Sequence, residues 1–115
     1  MFALALHGGA GASRALNYDS VRKHLRAVVE QARDNLAAGA SALDVAVAVV
    51  VELENSGLYV AGRGGSPNTD GEYELDACVM DGLSRKAGAV AAVRNIVSPV
   101  LLARLVMETS AHVLL

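Results

Sequence analysis

From Glu72 to Met80 the chain alternates without a slip, with Tyr73, Leu75, Ala77 and Val79 falling on one face and Glu72, Glu74, Asp76, Cys78 and Met80 on the other. Successive side chains of a strand point to opposite faces, so this stretch commits the chain to a sheet with one apolar side. Asp81-Gly82 opens a turn, and the compact apolar residues 87–93 supply a partner strand; the pattern predicts a hairpin whose connection is longer than two residues. The apolar share is 53% while aromatics make up only 3%. Alanine and valine carry the excess, which suits helices packed closely on that sheet.

Two helices precede the hairpin in sequence. After Asp19 or Ser20, either of which can cap, the apolar residues Val21, Leu25, Val28, Ala32 and Leu36 follow helical spacing until Gly39 stops them. Ser41 with Asp44 three residues on forms a variant capping box ahead of residues 43–54, which are apolar nearly all round and predict a buried helix ended by Gly57. Residues 2–6 predict a short buried strand running into a tight glycine loop. Ser98-Pro99 predicts an N-cap followed by proline in the first turn of a helix over residues 100–107. The closing apolar run 112–115 has no polar tail, which reads as a core element cut in the middle. The expected class is α/β in the α+β sense, with 115 residues forming one partial domain.

A net charge of −2 with scattered Lys and Arg gives no basic footprint, so neither nucleic acid nor an anionic membrane is an expected partner. The N-terminus lacks a charged leader, and the apolar run 45–51 is far short of the roughly 20 residues of a membrane helix. A soluble, cytoplasmic protein is expected. Cys78 is the only cysteine, and His7, His24 and His112 lie far apart, so no transition-metal site is indicated.

Both ends of the paired-helix region are glycine-rich: His7-Gly8-Gly9-Ala10-Gly11 before it, and Gly62, Gly64 and Gly65 after it. Such loops can cradle phosphate. The first, however, lacks the third spaced glycine of a dinucleotide fingerprint, and neither ends in the Lys-Ser/Thr of a P-loop. A small phosphate- or nucleotide-binding α/β domain stays open as one reading.

The ordered set ALHGGAG, SALDVA, AGRG, ELDACVMDG, KAGAVAAV and SPVLLARLVMETSAHVLL spans essentially the whole chain. It resembles the plant-type L-asparaginases, or isoaspartyl aminopeptidases (β-aspartyl peptidases), of the N-terminal-nucleophile (Ntn) hydrolases. That resemblance implies a four-layer αββα sandwich of which residues 1–115 form the N-terminal, α-subunit portion. It also implies hydrolysis of the side-chain amide of L-asparagine and of β-aspartyl dipeptides. The nucleophile in that family is a threonine freed by autocleavage of a Gly-Thr bond, whose new α-amine, with an ordinary pKa of about 7.7–8, serves as its base.

No such bond occurs here: Thr69 follows Asn68, Thr109 follows Glu108, and Gly65-Ser66 runs into Pro67. Cys78 follows Ala77 within a strand and reads as a packed thiol. No catalytic residue is therefore expected in this chain, which alone should be inactive until completed by a nucleophile-bearing β subunit. The resemblance places His7, Gly8, Gly9 and Val60 beside the nucleophile. It also implies a structural sodium ion held by the main-chain carbonyls of Leu53, Glu54, Ser56, Tyr59, Ala61 and Arg63, and no organic cofactor. Val60 stands where many relatives have an asparagine and cannot donate a hydrogen bond, and Ser66-Pro67 replaces a common apolar pair. Asp76 and Asp81 read as structural acceptors of backbone N–H groups. The completed enzyme would be a dimer of processed heterodimers; an inactive remnant or partner subunit is the other open reading.

Overall fold

The computed structural model describes residues 1–11 and 13–115; Ala12 of the first glycine loop lies outside them. Its elements are α1 (Asp19–Ala37), α2 (Ala42–Ser56), a short 3-10 turn (Gly62–Gly64), β1 (Leu75–Met80), β2 (Ala87–Val93) and α3 (Pro99–Thr109). The architecture is mixed helix and strand, as the patterning predicts.

The helix stops follow the punctuation of the sequence. Gly39 at φ +95° ends α1, where the Ala38 N–H still donates to the Asp34 carbonyl at 2.9 Å. Gly57 ends α2 in the left-handed region at φ 69°. The Ser41 hydroxyl oxygen accepts the Asp44 N–H at 3.0 Å and donates to the Asp44 carboxylate at 2.7 Å. In α1 the capping differs from expectation. Tyr18 occupies the N-cap without a side-chain bond, and Asn17 Oδ1 accepts the Asp19 N–H at 2.7 Å instead.

β1 and β2 pair antiparallel, with Met80 opposite Ala87 and Leu75 opposite Val93. Between Leu75 and Ala77 the register slips by one residue of β2. Ala92, at φ 53°, lies in that bulge, and its N–H donates to Asp76 Oδ1 at 2.7 Å. Tyr73, expected on the apolar face, is exposed, and the ladder starts only at Leu75. The residues before it are tied into a loop: Arg94 pairs with Glu72 at 2.6 Å and with Glu74, while Asn68 Oδ1 accepts the Glu72 N–H at 3.0 Å.

One sheet face is covered by α3 through Val90, Ala103 and Val106, with Ala77, Val79, Val93 and Leu102 around them. The helix lies so close that a methyl on Gly88 would fall 2.2 Å from the Ala103 carbonyl oxygen. Beyond α3 the chain returns to the sheet: the Ala89 N–H donates to the Val113 carbonyl at 2.6 Å, the Leu115 N–H donates to the Ala89 carbonyl at 3.1 Å, and Leu114 bridges Ala89 in parallel. The terminal apolar run thus lies along the other edge of β2 through a single isolated bridge, and residues 112–115, expected in a core, are exposed there.

A second core joins α1 to α2 through Val28, Ala32, Val45 and Val49, with Leu4, Leu6 and Leu36 against it. Residues 2–6 are not a strand. Leu4 and Leu6 turn inward while Phe2, Ala3 and Ala5 face out, and among the described residues no strand lies beside them to supply a ladder. The molecule measures 42 × 35 × 19 Å with a radius of gyration of 15.0 Å, wider than the about 13 Å of a compact chain of this length. α3 lies on the sheet, while α1 and α2 pack on each other in the separate second core.

Candidate functional site

The first glycine loop is held in place by the inward Leu4 and Leu6 and lands on Tyr59. A methyl on Gly8 would lie 3.1 Å from Tyr59 Cε1 and 3.2 Å from Leu25 Cδ1. Tyr59 is 8% exposed, and its hydroxyl lies 3.0 Å from His24 Nδ1 on α1. Burial pushes the phenol pKa up, so Tyr59 stays neutral and serves as a hydrogen-bonded support.

The second loop starts where α2 runs out of partners. Its last carbonyls, including Leu53, Glu54 and Ser56, have no amide four residues ahead within the helix. The Ser56 hydroxyl donates to the Leu53 carbonyl at 2.8 Å and accepts the Leu58 N–H at 3.1 Å. The Ala61 N–H then donates to the Tyr59 carbonyl at 2.8 Å, and the Gly64 N–H to the Ala61 carbonyl at 3.0 Å. The turn closes so tightly that a methyl on Gly64 would sit 2.0 Å from the Tyr59 carbonyl oxygen and 3.1 Å from that of Gly57.

The two loops face one cleft of about 790 Å³, with His7, Gly8 and Gly9 on one wall and Tyr59, Val60 and Ala61 on the other. The structure thus brings together the four residues expected near a nucleophile. Val60 is 80% exposed there, with its side chain open to solvent.

The carbonyls expected around a cation share one stretch, the last turn of α2 and the loop that folds back on it. Oxygen crowds this turn, since a methyl on Gly62 would also meet the Glu54 carbonyl oxygen at 2.6 Å. Carbonyl oxygens each keep a second lone pair after accepting one bond, and they suit a hard monovalent cation. The donor chemistry is of the kind a sodium ion would take. Among the described residues no cluster of three or more His, Cys, Asp or Glu side chains offers a different kind of metal site.

Other candidates are spoken for. Asp81 accepts N–H bonds from Leu83 at 3.2 Å and Ser84 at 3.0 Å as well as the Ser84 hydroxyl at 2.5 Å, and these bonds hold its carboxyl below the usual range. With Asp76 bonded to the Ala92 N–H, both acids act as structural acceptors. The Thr109 hydroxyl donates to the Leu105 carbonyl at 2.7 Å. Cys78, expected as a packed thiol, is instead exposed, because its side of β1 is the one α3 does not cover.

Sequence reasoning missed the side chain of Glu54, which is 2% exposed. Its Oε1 accepts the Val100 N–H at 3.0 Å and its Oε2 accepts the Ser98 hydroxyl. Ser98 is the N-cap of α3 by position, yet it makes no side-chain cap bond of its own. The signal was present: an acid in the last turn of a helix opposes that helix's own dipole and needs a donor from elsewhere.

Comparison with known proteins accounts for the whole chain. The profile of the family described as asparaginase matches residues 1–115. An isoaspartyl peptidase of Salmonella typhimurium is 50% identical over 117 residues, covering 97% of this chain and 37% of that protein. An isoaspartyl peptidase of Escherichia coli is 50% identical over 119 residues, covering 97% and 36%. A plant-type L-asparaginase of Pyrobaculum calidifontis is 44% identical over 117 residues, covering 100% and 39%. The chain spans little more than a third of the length of these relatives. With every residue inside the matched range, the chain belongs to the asparaginase family.

Proposed function

We propose that residues 1–115 form the N-terminal portion of an isoaspartyl peptidase/L-asparaginase whose nucleophilic threonine lies outside this chain. The observation that carries this reading is the match over 97% of the chain to two isoaspartyl peptidases. The meeting of the first glycine loop with residues 58–61 at one open cleft supports it. In the proposed reaction the threonine hydroxyl attacks the side-chain carbonyl of L-asparagine or of a β-aspartyl dipeptide. The threonine α-amine takes the hydroxyl proton and passes it to the departing ammonia or amino acid, leaving an acyl ester that water then cleaves.

The chain's own residues build the cleft around that chemistry. His7, Gly8 and Gly9 give a wall without side-chain bulk at the glycines, and Val60 gives an apolar wall where relatives place a donor. His7 acts there as a hydrogen-bonded strand-end residue rather than a proton carrier. Sodium, held by the carbonyls of Leu53, Glu54, Ser56, Tyr59, Ala61 and Arg63, would fix the second loop by electrostatic attraction.

α3 covers one face of the hairpin and leaves Asp76, Cys78 and Met80 bare on the other, the face that the second sheet of an αββα sandwich would cover. No helix among the described residues is long and apolar enough to cross a membrane. The proposed whole is a cytoplasmic dimer of processed heterodimers.

The test is the denatured intact mass of the full-length gene product together with release of ammonia from L-asparagine and of aspartate from a β-aspartyl dipeptide. Two polypeptides, the second starting with threonine, together with hydrolysis are expected. A single unprocessed species that releases neither product would mark an inactive remnant and overturn the reading.

A further inference from the structure

Glu54 is, among the described residues, the one buried charged side chain, and it joins parts of the molecule that apolar packing leaves separate. One core holds α1, α2 and residues 4 and 6; the other holds the hairpin and α3. Between them, the Glu54 carboxylate reaches from the last turn of α2 to the first turn of α3. Pro99 has no N–H to offer, so Val100 carries the first free amide of that helix, and Glu54 Oε1 takes it at 3.0 Å. The acid thus lies at the positive end of α3, which compensates its poor placement on α2.

The backbone of the same residue carries the glycine loop. A methyl on Gly62 would fall 2.6 Å from Glu54 Cβ and 2.8 Å from its Cα, so the turn rests directly on Glu54. Another tie between α2 and α3, the half-buried Arg104 with the exposed Asp44 at 2.7 Å, is at the far end of α2.

We propose that the Glu54 side chain is a positioning residue: by gripping Ser98 and Val100 it sets the 57–65 loop, with Tyr59, Val60 and Ala61 of the cleft, in register with the sheet and α3. Only its kinetic consequence rests on the proposed hydrolase function.

The chemistry ranks the variants. Alanine removes both acceptors, stranding the buried Val100 N–H and leaving the half-buried Ser98 hydroxyl without its partner. Glutamine can keep both bonds, its amide oxygen accepting from Val100 and its amide N–H donating to a Ser98 hydroxyl turned round to accept. Ser98→Ala removes one donor and leaves the carboxylate in place.

Amide exchange on the full-length protein, resolved to peptides covering 19–37, 57–65 and 98–103, tests the grip. In Glu54→Ala and Ser98→Ala, exchange in 57–65 is expected to rise about tenfold or more, although that segment makes neither lost bond, while 19–37 stays unchanged. Glu54→Gln is expected to hold 57–65 within about threefold of the parent. If Glu54→Ala does not fold, Ser98→Ala decides alone. A rise confined to 98–103 overturns the proposal.

In the processed enzyme, Glu54→Ala and Ser98→Ala are expected to lower kcat between about ten- and a hundredfold with KM within about twofold. An active parent whose kcat is unmoved by either variant overturns the positioning role. A parent that hydrolyses neither substrate overturns the hydrolase reading and leaves the exchange result to judge Glu54.

Discussion

In the second glycine loop a methyl on Gly64 would lie 2.0 Å from the Tyr59 carbonyl oxygen, whereas in the first loop a methyl on Gly11 would meet nothing within 4 Å. The two loops look alike in sequence, and the first shares its cleft with residues 58–61 that lead into the second, yet Gly64 and Gly11 answer to different neighbours. Around Gly64 the chain's own backbone excludes a side chain, because the end of α2 and the turn after it fold into the same space. Around Gly11 the chain imposes no such limit. Gly8 meets Tyr59 and Leu25 of this chain, so on the proposed function it is the bare backbone at Gly11 that is shaped for the part of the enzyme that carries the nucleophile.

The sharpest way to break this contrast is Gly64→Ala. Its new methyl would collide with backbone that cannot step aside, and a loss of more than about 4 kcal/mol is expected, enough to abolish the cooperative denaturant transition. A normal transition would mean that the second loop is as free as the first.

Acid should next loosen the hairpin and the start of α2. Glu74 is held below its usual 4.5 by its bonds from Arg94 and Asn68, Asp81 below its usual 3.8 by Ser84 and Leu83, and Asp44 below 3.8 by Ser41 and Arg104. Lowered folded-state values mean that these carboxylates add stability above their usual pKa and lose it as pH falls through that range toward the folded values. Thermal unfolding followed by circular dichroism should show Tm falling between about pH 5 and pH 3, and the Glu74→Gln/Asp81→Asn double variant should flatten that fall. An unchanged slope would contradict these assignments.

Where the two loops touch, Tyr59→Phe keeps the ring under Gly8 and removes the hydroxyl from His24. A loss of about 0.5–1.5 kcal/mol in urea unfolding is expected. No loss would show that the ring contact alone holds the loops together.

What the sequence discloses and what it hides follow one physical line. Hairpin strands, helix stops at Gly39 and Gly57 and the Ser41 cap are local and periodic, so neighbours in sequence determine them. The exception among local signals is residues 2–6, whose apolar pattern fits a strand but which need a partner to make a ladder. The bulge at Ala92 and the early end of the apolar face at Tyr73 depend on cross-strand and loop bonds that alternation does not encode. At the site, the glycine loops and Val60 were legible because composition and resemblance marked them. The Glu54 carboxylate was hidden because its partners, Ser98 and Val100, lie 44 and 46 residues away. His24 and Tyr59 are 35 residues apart and were hidden for the same reason.

The smallest expected effect on stability is also the most informative. Gly11→Ala should change unfolding free energy by no more than about 0.5 kcal/mol, since its methyl points into open space. If the first loop is bare for the sake of the nucleophile-bearing part, the same substitution should still harm the completed enzyme. The decisive measurement is the rate of ammonia release from L-asparagine by processed full-length Gly11→Ala at a temperature where its Tm matches the parent's. A fall of about tenfold or more at equal stability is expected; a rate equal to the parent's would contradict the claim that this loop is shaped for a partner surface.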